Sequence, residues 1–340
     1  MRRAIELASG RRTHPNPTVG AVVLDRTGTV VGEGWHAGPG TPHAEAVALE
    51  AAGARAAGST VVVTLEPCSH HGRTPPCADA LVEAGVARVV VAVVDPDPLV
   101  SGTGITVLTR AGITVDQGVL RAEAEALDPA YFHHRRTGLP RVTVKVAATL
   151  DGATAAADGT SRWITGPAAR ADGHRLRAQA DAVVVGAGTV RADNPRLDVR
   201  LDDHAGPQPR PVVFAGAGGL PPDAALLARD PIVVATRPIA GWPTTVVAGD
   251  RYPDPRAALV ALAEVGLLEV LVEGGPTLAG ALWRAGLVNR GVFHLAATVA
   301  GGVGRPMFDG MFRTLGDASP VVVTDLRALG PDVRLEFEVA

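Results

Sequence analysis

Apolar positions in the first 138 residues recur in short units that alternate between extended and helical patterns. The stretch "GAVVLDRTGTVVGEGW" contains two strand-like runs joined by "DRTG", which is typical of a hairpin. The runs "TVVVTL" and "RVVVAVV" are almost continuously apolar, as expected of strands that are covered on both faces. This order of elements predicts a sheet with parallel members joined by crossover helices.

The helical stretches lie beside these strands. An amphipathic stretch runs through Leu7, an alanine-rich helix is predicted over 44–57 with Gly58 as its cap, and shorter helices are predicted over 76–84 and 104–111. The stretch "ITVDQGVL" is predicted to be extended, and one polar helix to continue through "EAEALDPAYFHHRRTGLP". Ligands tend to bind at the carboxyl ends of parallel strands, so "TLEPC", which leaves such a strand, marks a candidate site.

The pattern begins again after "RRTGLP". Strand-like runs in "RVTVKVAATLDG", "DAVVVGAGTV", "RPVVFAG", "DPIVVAT" and "LEVLVEGG" each lead into a turn, often rich in glycine. We therefore predict two α/β domains, over 1–138 and 139–340, with the boundary near Gly138. The cysteine and histidine motifs of the first half have no counterpart in the second, so the two halves are not repeats.

Composition and charge narrow the class of function. The chain has 340 residues, of which 46% are hydrophobic and only 4% aromatic, and its net charge is −3 without a long basic run. These features favour close-packed helix and sheet layers and small-molecule ligands over nucleic acid or a membrane surface. The start "MRRAIELASGRR" lacks the apolar core of a signal peptide, and no run approaches ~18 apolar residues, so we expect a cytoplasmic protein.

The chain contains only two cysteines, Cys68 and Cys77, and in a reducing compartment such a pair is more often a metal site or a redox pair than a staple. Each follows a proline at or just before a predicted helix. His43 and Glu45 lie two positions apart at the start of another predicted helix. Side chains with this spacing point in different directions along a helix, so the two can converge only at its N-terminal end. One imidazole and two thiolates would leave a zinc position open for water, with Glu45 as the proton shuttle of a zinc deaminase.

Three other interpretations remain open from these residues. His70 and His71 could complete a Cys2His2 structural zinc site. The chain could be a deaminase of another nucleobase whose second domain only binds a ligand. It could also be a non-catalytic binding protein that zinc stabilises.

The combination of "HAE" with "TLEPCSHHGRTPPC" resembles the deaminase half of the bifunctional riboflavin-biosynthesis deaminase/reductase family. The likeness continues to the C-terminus through "KVAATLDG", "SRWITG", "LRAQADAVVVGAGTVRADNPRLDVR" and "VEGGPTLAGALWRAGLVNR". It implies a cytidine-deaminase-like α/β/α domain followed by a dihydrofolate-reductase-like α/β domain. It further implies zinc-dependent deamination of 2,5-diamino-6-(5-phosphoribosylamino)pyrimidin-4(3H)-one, NADPH-dependent reduction of the resulting phosphoribosylamino uracil, and a homo-oligomer.

Site residues follow from this resemblance position by position. It implies zinc ligation by His43, Cys68 and Cys77 and proton transfer by Glu45. It implies substrate contacts in the first domain from Asn16, His36, His70 and Arg73, and in the second from Ser161, Arg177, Leu197, Arg200 and Glu273. It implies cofactor contacts from Ala147, Trp163, Thr189, Asp193, Gly275, Pro276, Thr277, Leu278, Ala279, Gly280 and Ala281.

The sequence itself says less about the second domain. No Gly-x-Gly-x-x-Gly motif follows a predicted strand, because "GAGTVR" ends in arginine, so a Rossmann site is not supported. The glycine-rich loops "GAGTV" and "EGGPTLAG" could instead approach a pyrophosphate, the latter at a helix start. The chain also departs from the family pattern. Asp97 and Thr103 replace an asparagine and a basic residue, Ala297 and Thr298 replace Pro-Lys, and Phe214 and Ala215 stand where an Asp-Ser pair is usual.

Overall fold

A computed structural model describes residues 1–70, 75–98, 100–216, 219–249, 253–302, 304–310 and 314–339. By its internal contacts the chain divides into two units, Met1–Gly138 and Leu139–Ala340. None of the helices in the described ranges combines the length and the apolar character that crossing a bilayer requires.

In the first unit, the described residues form one mixed sheet with helices packed on it. Its strands are β1 Gly20–Leu24, β2 Val30–Trp35, β3 Thr60–Leu65, β4 Arg88–Val93 and β5 Thr114–Gln117. Its helices are α1 Arg2–Ala8, α2 Ala44–Ala52, α3 Cys77–Glu83, α4 Thr103–Arg110, α5 Arg121–Glu125 and α6 Pro129–Thr137. The sheet order is β2-β1-β3-β4-β5, in which β1 is antiparallel to its neighbours and β3, β4 and β5 are parallel.

Three predicted elements of this unit have different bounds. The helix predicted over 44–57 ends at Ala52, because Gly53 has φ of 54° and a short 3₁₀ turn, Gly53–Ala56, follows. The strand predicted from "ITVDQGVL" ends at Gln117, before Gly118 with φ of 87°. The single polar helix is wrong. The chain forms α5 and α6 separately, since the Asp128 carboxylate accepts the Tyr131 N–H and caps α6.

Helix α2 lies unusually close to strand β2, and two glycines permit this. A Cβ atom on Gly32 would lie 2.1 Å from the Ala48 carbonyl oxygen, and one on Gly34 would lie 2.3 Å from that of Ala44. Both distances are far below any real contact, so only glycine fits at either position. The small side chains of helix and strand thus fix how near the start of α2 comes to the sheet.

In the second unit, the described residues form a long mixed sheet in the order β11-β10-β9-β8-β12-β6-β13-β16-β15, and a short ladder of β7 with β14. The strands are β6 Arg141–Thr149, β7 Ala153–Ala155, β8 Ala182–Gly186, β9 Arg210–Phe214, β10 Ile232–Ala235, β11 Thr244–Val247, β12 Glu269–Val272, β13 Arg290–Ala296, β14 Arg305–Pro306, β15 Val321–Leu329 and β16 Asp332–Val339. The helices are α7 Pro167–Gln179, α8 Ala187–Asp193, α9 Pro255–Glu264 and α10 Pro276–Arg284, with 3₁₀ turns at Ala225–Arg229 and Leu315–Asp317.

Parallel strands occupy the middle of this sheet, and apolar side chains cover both of its faces. Successive residues of β8 belong to different clusters, Val184 to one and Val183 and Val185 to the other, because alternate side chains point to opposite faces. The "GAGTV" stretch differs from its prediction as a loop, since α8 begins at Ala187, immediately after β8. The ends of β8 and β12 therefore both lead directly into helices.

Candidate functional site

The candidate metal centre forms where two helices begin and one strand ends. His43 is the N-cap of α2, Cys77 is the first residue of α3, and Cys68 lies in the loop after β3. The His43 Nδ1 atom lies 3.2 Å from the Cys77 sulfur and 3.4 Å from the Cys68 sulfur. All three potential ligand atoms lie within 4.8 Å of one another, so a single ion can reach them all.

Hydrogen bonds and burial change the pKa values of the two thiols in opposite directions. The Cys77 backbone N–H donates to the Cys68 sulfur at 3.3 Å. Hydrogen bonds, first from the Cys77 thiol and then from His43, hold the pKa of Cys68 below its usual range, whereas the bond to Cys68 and burial raise the pKa of Cys77. The pair thus shares a proton that a cation would displace.

This donor set fits zinc. One imidazole nitrogen and two thiolates are the ligands that a catalytic zinc ion takes when it keeps its fourth position for water. Among the residues that the structure describes, no fourth side chain joins the group, and His70 is not part of it. The alternative of a closed Cys2His2 centre therefore has no support from His70, and His71 lies outside the described residues.

Glu45 lies beside these ligands on the first turn of α2. Its side chain is buried, with 4% exposure, and burial raises the pKa of its carboxyl to about 7, with the Cys68 charge adding to this rise. A carboxyl in this environment can hold a proton near neutral pH. Glu45 is thus placed and tuned to exchange a proton next to the metal centre.

Asn16 and His36 form a hydrogen-bonded chain along the same cavity. The Asn16 Nδ2 lies 2.9 Å from the His36 Nε2, and the His36 Nδ1 lies 3.1 Å from the Pro42 carbonyl oxygen. Because a carbonyl can only accept, Nδ1 carries the proton and Nε2 accepts from Asn16. The His36 ring packs edge-on against the His43 ring, with 5.3 Å between their centroids. The hydrogen-bonded pair of Asn16 and His36 therefore also supports the metal ligand His43.

A cavity of about 430 Å³ is lined in part by Asn16, His36 and Glu45. His70 also lines it with an exposed side chain, while Arg73 lies outside the described residues. Sequence reasoning missed several lining residues, among them Asp95, Tyr131 and Arg135. The Tyr131 hydroxyl donates to the Asp95 carboxylate at 3.1 Å. The four-residue spacing of Tyr131 and Arg135, which places both on one face of α6, was the available signal.

The second unit has its own pocket, of about 350 Å³. Among its described lining residues are Lys145, Trp163, Arg170, His174, Arg177, Arg200 and Glu273. Arg177 donates two hydrogen bonds to the Glu273 carboxylate, at 2.8 and 2.7 Å, and a third to the Asp198 carbonyl oxygen at 2.9 Å. Burial opposes ionisation of Glu273, but the charges of Arg177 and Lys145 prevail and hold its pKa at about 2. The excess of positive charge suits an anionic ligand.

Lys145 was also missed, although its signal is visible: it is the one charged side chain inside the run "VTVKV" of β6. Other expected substrate residues differ in placement. Ser161 is exposed and is not among the residues lining the pocket. The Leu197 side chain is only 2% exposed and packs in the core, so contact from this position would have to come from its backbone.

The expected cofactor residues cluster at the ends of neighbouring strands. Gly186 caps α8 and Gly275 caps α10, after strands β8 and β12, which pair in parallel. A Cβ atom added to either glycine would meet nothing within 4 Å, so the backbone there lies open to a ligand. The helix start at Gly275 offers N–H groups to a pyrophosphate, which fits a dinucleotide such as NADPH.

The remaining expected cofactor residues are not equally accessible. Trp163 is 70% exposed and stacks with Arg170, Thr189 and Ala147 are half-buried, and Asp193 pairs with Arg162. Within the 275–281 segment, Ala279 is fully buried. Gly280 packs so tightly that a Cβ would lie 2.3 Å from the Asp309 carbonyl oxygen. These two residues therefore support the helix rather than offering surface to a cofactor.

Comparisons with known proteins cover nearly the whole chain. A family model described as the RibD C-terminal domain matches residues 140–334. Another, described as the cytidine and deoxycytidylate deaminase zinc-binding region, matches residues 1–93. The riboflavin biosynthesis protein RibD of Escherichia coli K12 is 41% identical over 360 residues, covering 99% of this chain and 98% of that protein. The protein of the same name from Mycobacterium tuberculosis H37Rv is 44% identical over 331 residues, covering 96% and 91%.

Solved structures give the same result. RibD of Acinetobacter baumannii superposes with a TM-score of 0.92 at 38% identity, covering 100% of this chain and 97% of that one. The diaminohydroxyphosphoribosylaminopyrimidine deaminase/5-amino-6-(5-phosphoribosylamino)uracil reductase of Thermotoga maritima has a TM-score of 0.89 at 33% identity, covering 100% and 97%.

Proposed function

Because this chain belongs to the RibD family of bifunctional riboflavin-biosynthesis enzymes, we propose that its first unit is the deaminase and its second unit the reductase. Zinc and NADPH are the cofactors of these two activities. The expected fold classes, cytidine-deaminase-like and dihydrofolate-reductase-like, are confirmed by the same comparisons. The convergence of His43, Cys68 and Cys77 beside a buried Glu45 is the observation that carries the deaminase assignment.

In the first unit the substrate is a 2,5-diaminopyrimidinone that carries a phosphoribosylamino group. His43, Cys68 and Cys77 would hold the zinc ion, which would supply Lewis acidity when bound. The Glu45 carboxylate takes a proton from the attacking water and delivers it to the departing amine, so that ammonia leaves. Asn16, oriented by His36, offers its amide to the edge of the pyrimidinone.

Substitution Glu45→Gln tests this assignment. Without the carboxyl, ammonia release should fall by about 10²–10⁴-fold, because proton transfer to the leaving amine loses its donor. Zinc content, measured by mass spectrometry of the metal, should stay the same. Glu50→Gln, an exposed residue on the same helix, is the matched control and should release ammonia like the wild type. A Glu45→Gln enzyme that still released ammonia at the wild-type rate would refute the role.

When bound in the second unit, NADPH would supply the hydride that reduces the ribosyl group to ribityl, and the residues of this unit would bind and orient both reactants. The basic pocket around Arg177, Lys145 and Arg200 receives the anionic substrate. Because Arg177 is already held by Glu273, we assign to it the role of shaping the pocket as well as attracting the ligand. The open backbone at Gly186 and Gly275 would offer N–H groups to the cofactor's phosphates.

Small molecules are the substrates, and we further propose that the enzyme is a homo-oligomer. Strand β15 lies at the edge of the long sheet and exposes a run of apolar side chains, Val322 by 58%, Val323 by 55% and Leu326 by 64%. Such an edge is normally protected, and pairing with a second copy would protect it. Leu326→Lys should therefore lower the mass measured by light scattering, whereas Val265→Lys, which is also exposed but at the end of α9, should not. A wild-type monomer would contradict the proposal.

We also propose a cytoplasmic location. Both cysteines are free in the structure and serve as ligands, which requires that they stay reduced. Cell fractionation followed by immunodetection tests this proposal, and recovery from an oxidising compartment would contradict it.

A further inference from the structure

Carboxyl groups outnumber cations among the described residues that line the deaminase cavity. Asp97 carries one of these carboxyl groups, and Thr103 is the uncharged first residue of α4. The Thr103 hydroxyl contacts the Ser69 hydroxyl at 2.7 Å and donates to the Val100 carbonyl, so this position carries no charge toward the substrate. The described lining of the cavity is therefore mainly acidic.

Arg135 brings a cation to the same cavity from a different element. It lies on α6, lines the cavity, and its Nη1 atom lies 3.4 Å from the Asp97 carboxylate. Its guanidinium also lies 5.0 Å from the centre of the Tyr131 ring. Of the lining residues that the structure describes, Arg135 is the only lysine or arginine, whereas Glu45, Glu66, Asp95 and Asp97 all carry carboxyl groups.

The pairing of Arg135 with Asp97 leaves donors for a ligand. At 3.4 Å the contact is an ion pair without a short hydrogen bond, in contrast to Arg177, which makes two hydrogen bonds under 3 Å to Glu273. The Arg135 Nε atom is buried and has no hydrogen-bond partner among the described residues. A buried N–H without a partner is costly, and an incoming acceptor would satisfy it.

We propose that Arg135 binds the phosphate of the deaminase substrate and so makes this cavity selective for the phosphorylated form; this inference rests on the proposed function of the first unit. A guanidinium presents several N–H groups in one plane and matches phosphate oxygens well. Asp97 holds the guanidinium at the cavity wall, and the cation in turn offsets the carboxylates that would otherwise repel a phosphate.

The test compares ammonia release from the diaminopyrimidine ribosyl phosphate and from its dephosphorylated form. Arg135→Gln should lower kcat/KM for the phosphorylated substrate by about 10- to 100-fold, mainly through KM, and leave that for the dephosphorylated form within about twofold. Arg135→Lys, which keeps the charge, should recover part of the loss. Arg136→Gln is the matched control, since Arg136 is adjacent, pairs with Glu125 and does not line the cavity.

If Arg135→Gln lowers both substrates equally, or changes neither, Arg135 does not bind the phosphate. If Arg135→Lys and Arg135→Gln lose activity equally on both substrates, Arg135 only supports the fold. Zinc content of the same preparations reports whether the first unit is folded in each variant, because the three ligands come from separate parts of that unit. A wild-type enzyme that releases no ammonia from either substrate would overturn the proposed function, and this inference with it.

Discussion

The Arg177–Glu273 pair shows how single residues set the behaviour of the second pocket. The two side chains are 15% and 12% exposed and meet through two short hydrogen bonds, so water screens them little. Lys145 adds a second positive charge near the same carboxylate. Removing the carboxylate would therefore leave two cations without their shared partner.

We predict a pH-dependent cost for Glu273→Gln. The pKa of Glu273 is depressed to about 2 from an ordinary value of 4.5, so its contribution is fully present above 4.5 and is lost as the pH falls toward 2. Near pH 7 the substitution should lower the free energy of unfolding of the second unit by about 3 kcal/mol. Urea unfolding monitored by tryptophan fluorescence measures this difference, which should shrink as the solution is acidified.

The control for this series is Glu264→Gln, an exposed residue at the end of α9. Its unfolding should follow the wild type at every pH, because its carboxyl lies in water in both states. A gap between wild type and Glu273→Gln that stayed constant down to about pH 3 would contradict the linkage argument.

The sequence predicted the site residues whose positions follow from local spacing. His43, Cys68 and Cys77 stand at helix starts and a strand end, and such positions can be predicted to converge because the elements themselves are predictable. Spacing could place Arg135 on the same face of α6 as Tyr131, but its position in the cavity beside Asp97 depends on tertiary packing that the sequence pattern does not show. Leu197 shows a different limit. Its position in a motif predicts a substrate contact, and because its side chain is buried in the core, only its backbone could make that contact.

At the scale of elements, helix α4 and the loop that carries Cys68 are held together by one carboxylate and one glycine. The Glu66 carboxylate accepts hydrogen bonds from the backbone N–H groups of Asp95, Gly102 and Gly104. A Cβ atom on Gly104 would lie 1.9 Å from the Pro67 carbonyl oxygen, immediately before Cys68. The start of α4 thus packs in direct contact with the metal-binding loop.

We predict that Gly104→Ala will damage the zinc centre at a distance. The added methyl group should push the loop away, destabilise the first unit by about 3 kcal/mol or more, and lower the zinc content of the purified protein. Metal analysis together with thermal unfolding measures both effects. Thr109→Ala, an exposed change on the same helix, should alter neither, and normal zinc content in Gly104→Ala would contradict the prediction.

The strands were easier to predict than the ends of the helices. Runs such as "TVVVTL" and "RVVVAVV" form β3 and β4 because their apolar side chains are covered on both faces. The end of α2 at Ala52 could not be predicted with equal precision. Gly53 and Gly58 both have positive φ and are both suitable caps, so only packing decides at which of them the helix ends.

At the scale of the whole molecule, each unit has its own core and its own pocket, so we predict that each activity survives loss of the other. Glu45→Gln should still oxidise NADPH when given the deaminated intermediate. Lys145→Gln should slow that oxidation and still release ammonia. A mixture of the two variants should carry out both steps in sequence, measured by mass analysis of the products. If neither step survives in either single variant, the two sites are not independent.

The closeness of α2 to β2 has a consequence for the evolution and redesign of this enzyme. Because Gly32 and Gly34 leave no room for even one methyl group, the sheet acts as a fixed floor beneath the helix that carries His43 and Glu45. Changes in reaction specificity are therefore easiest to accommodate in the parts of the cavity lining that do not belong to α2. An engineer seeking new substrates would vary the loops and α6, and would leave the floor untouched.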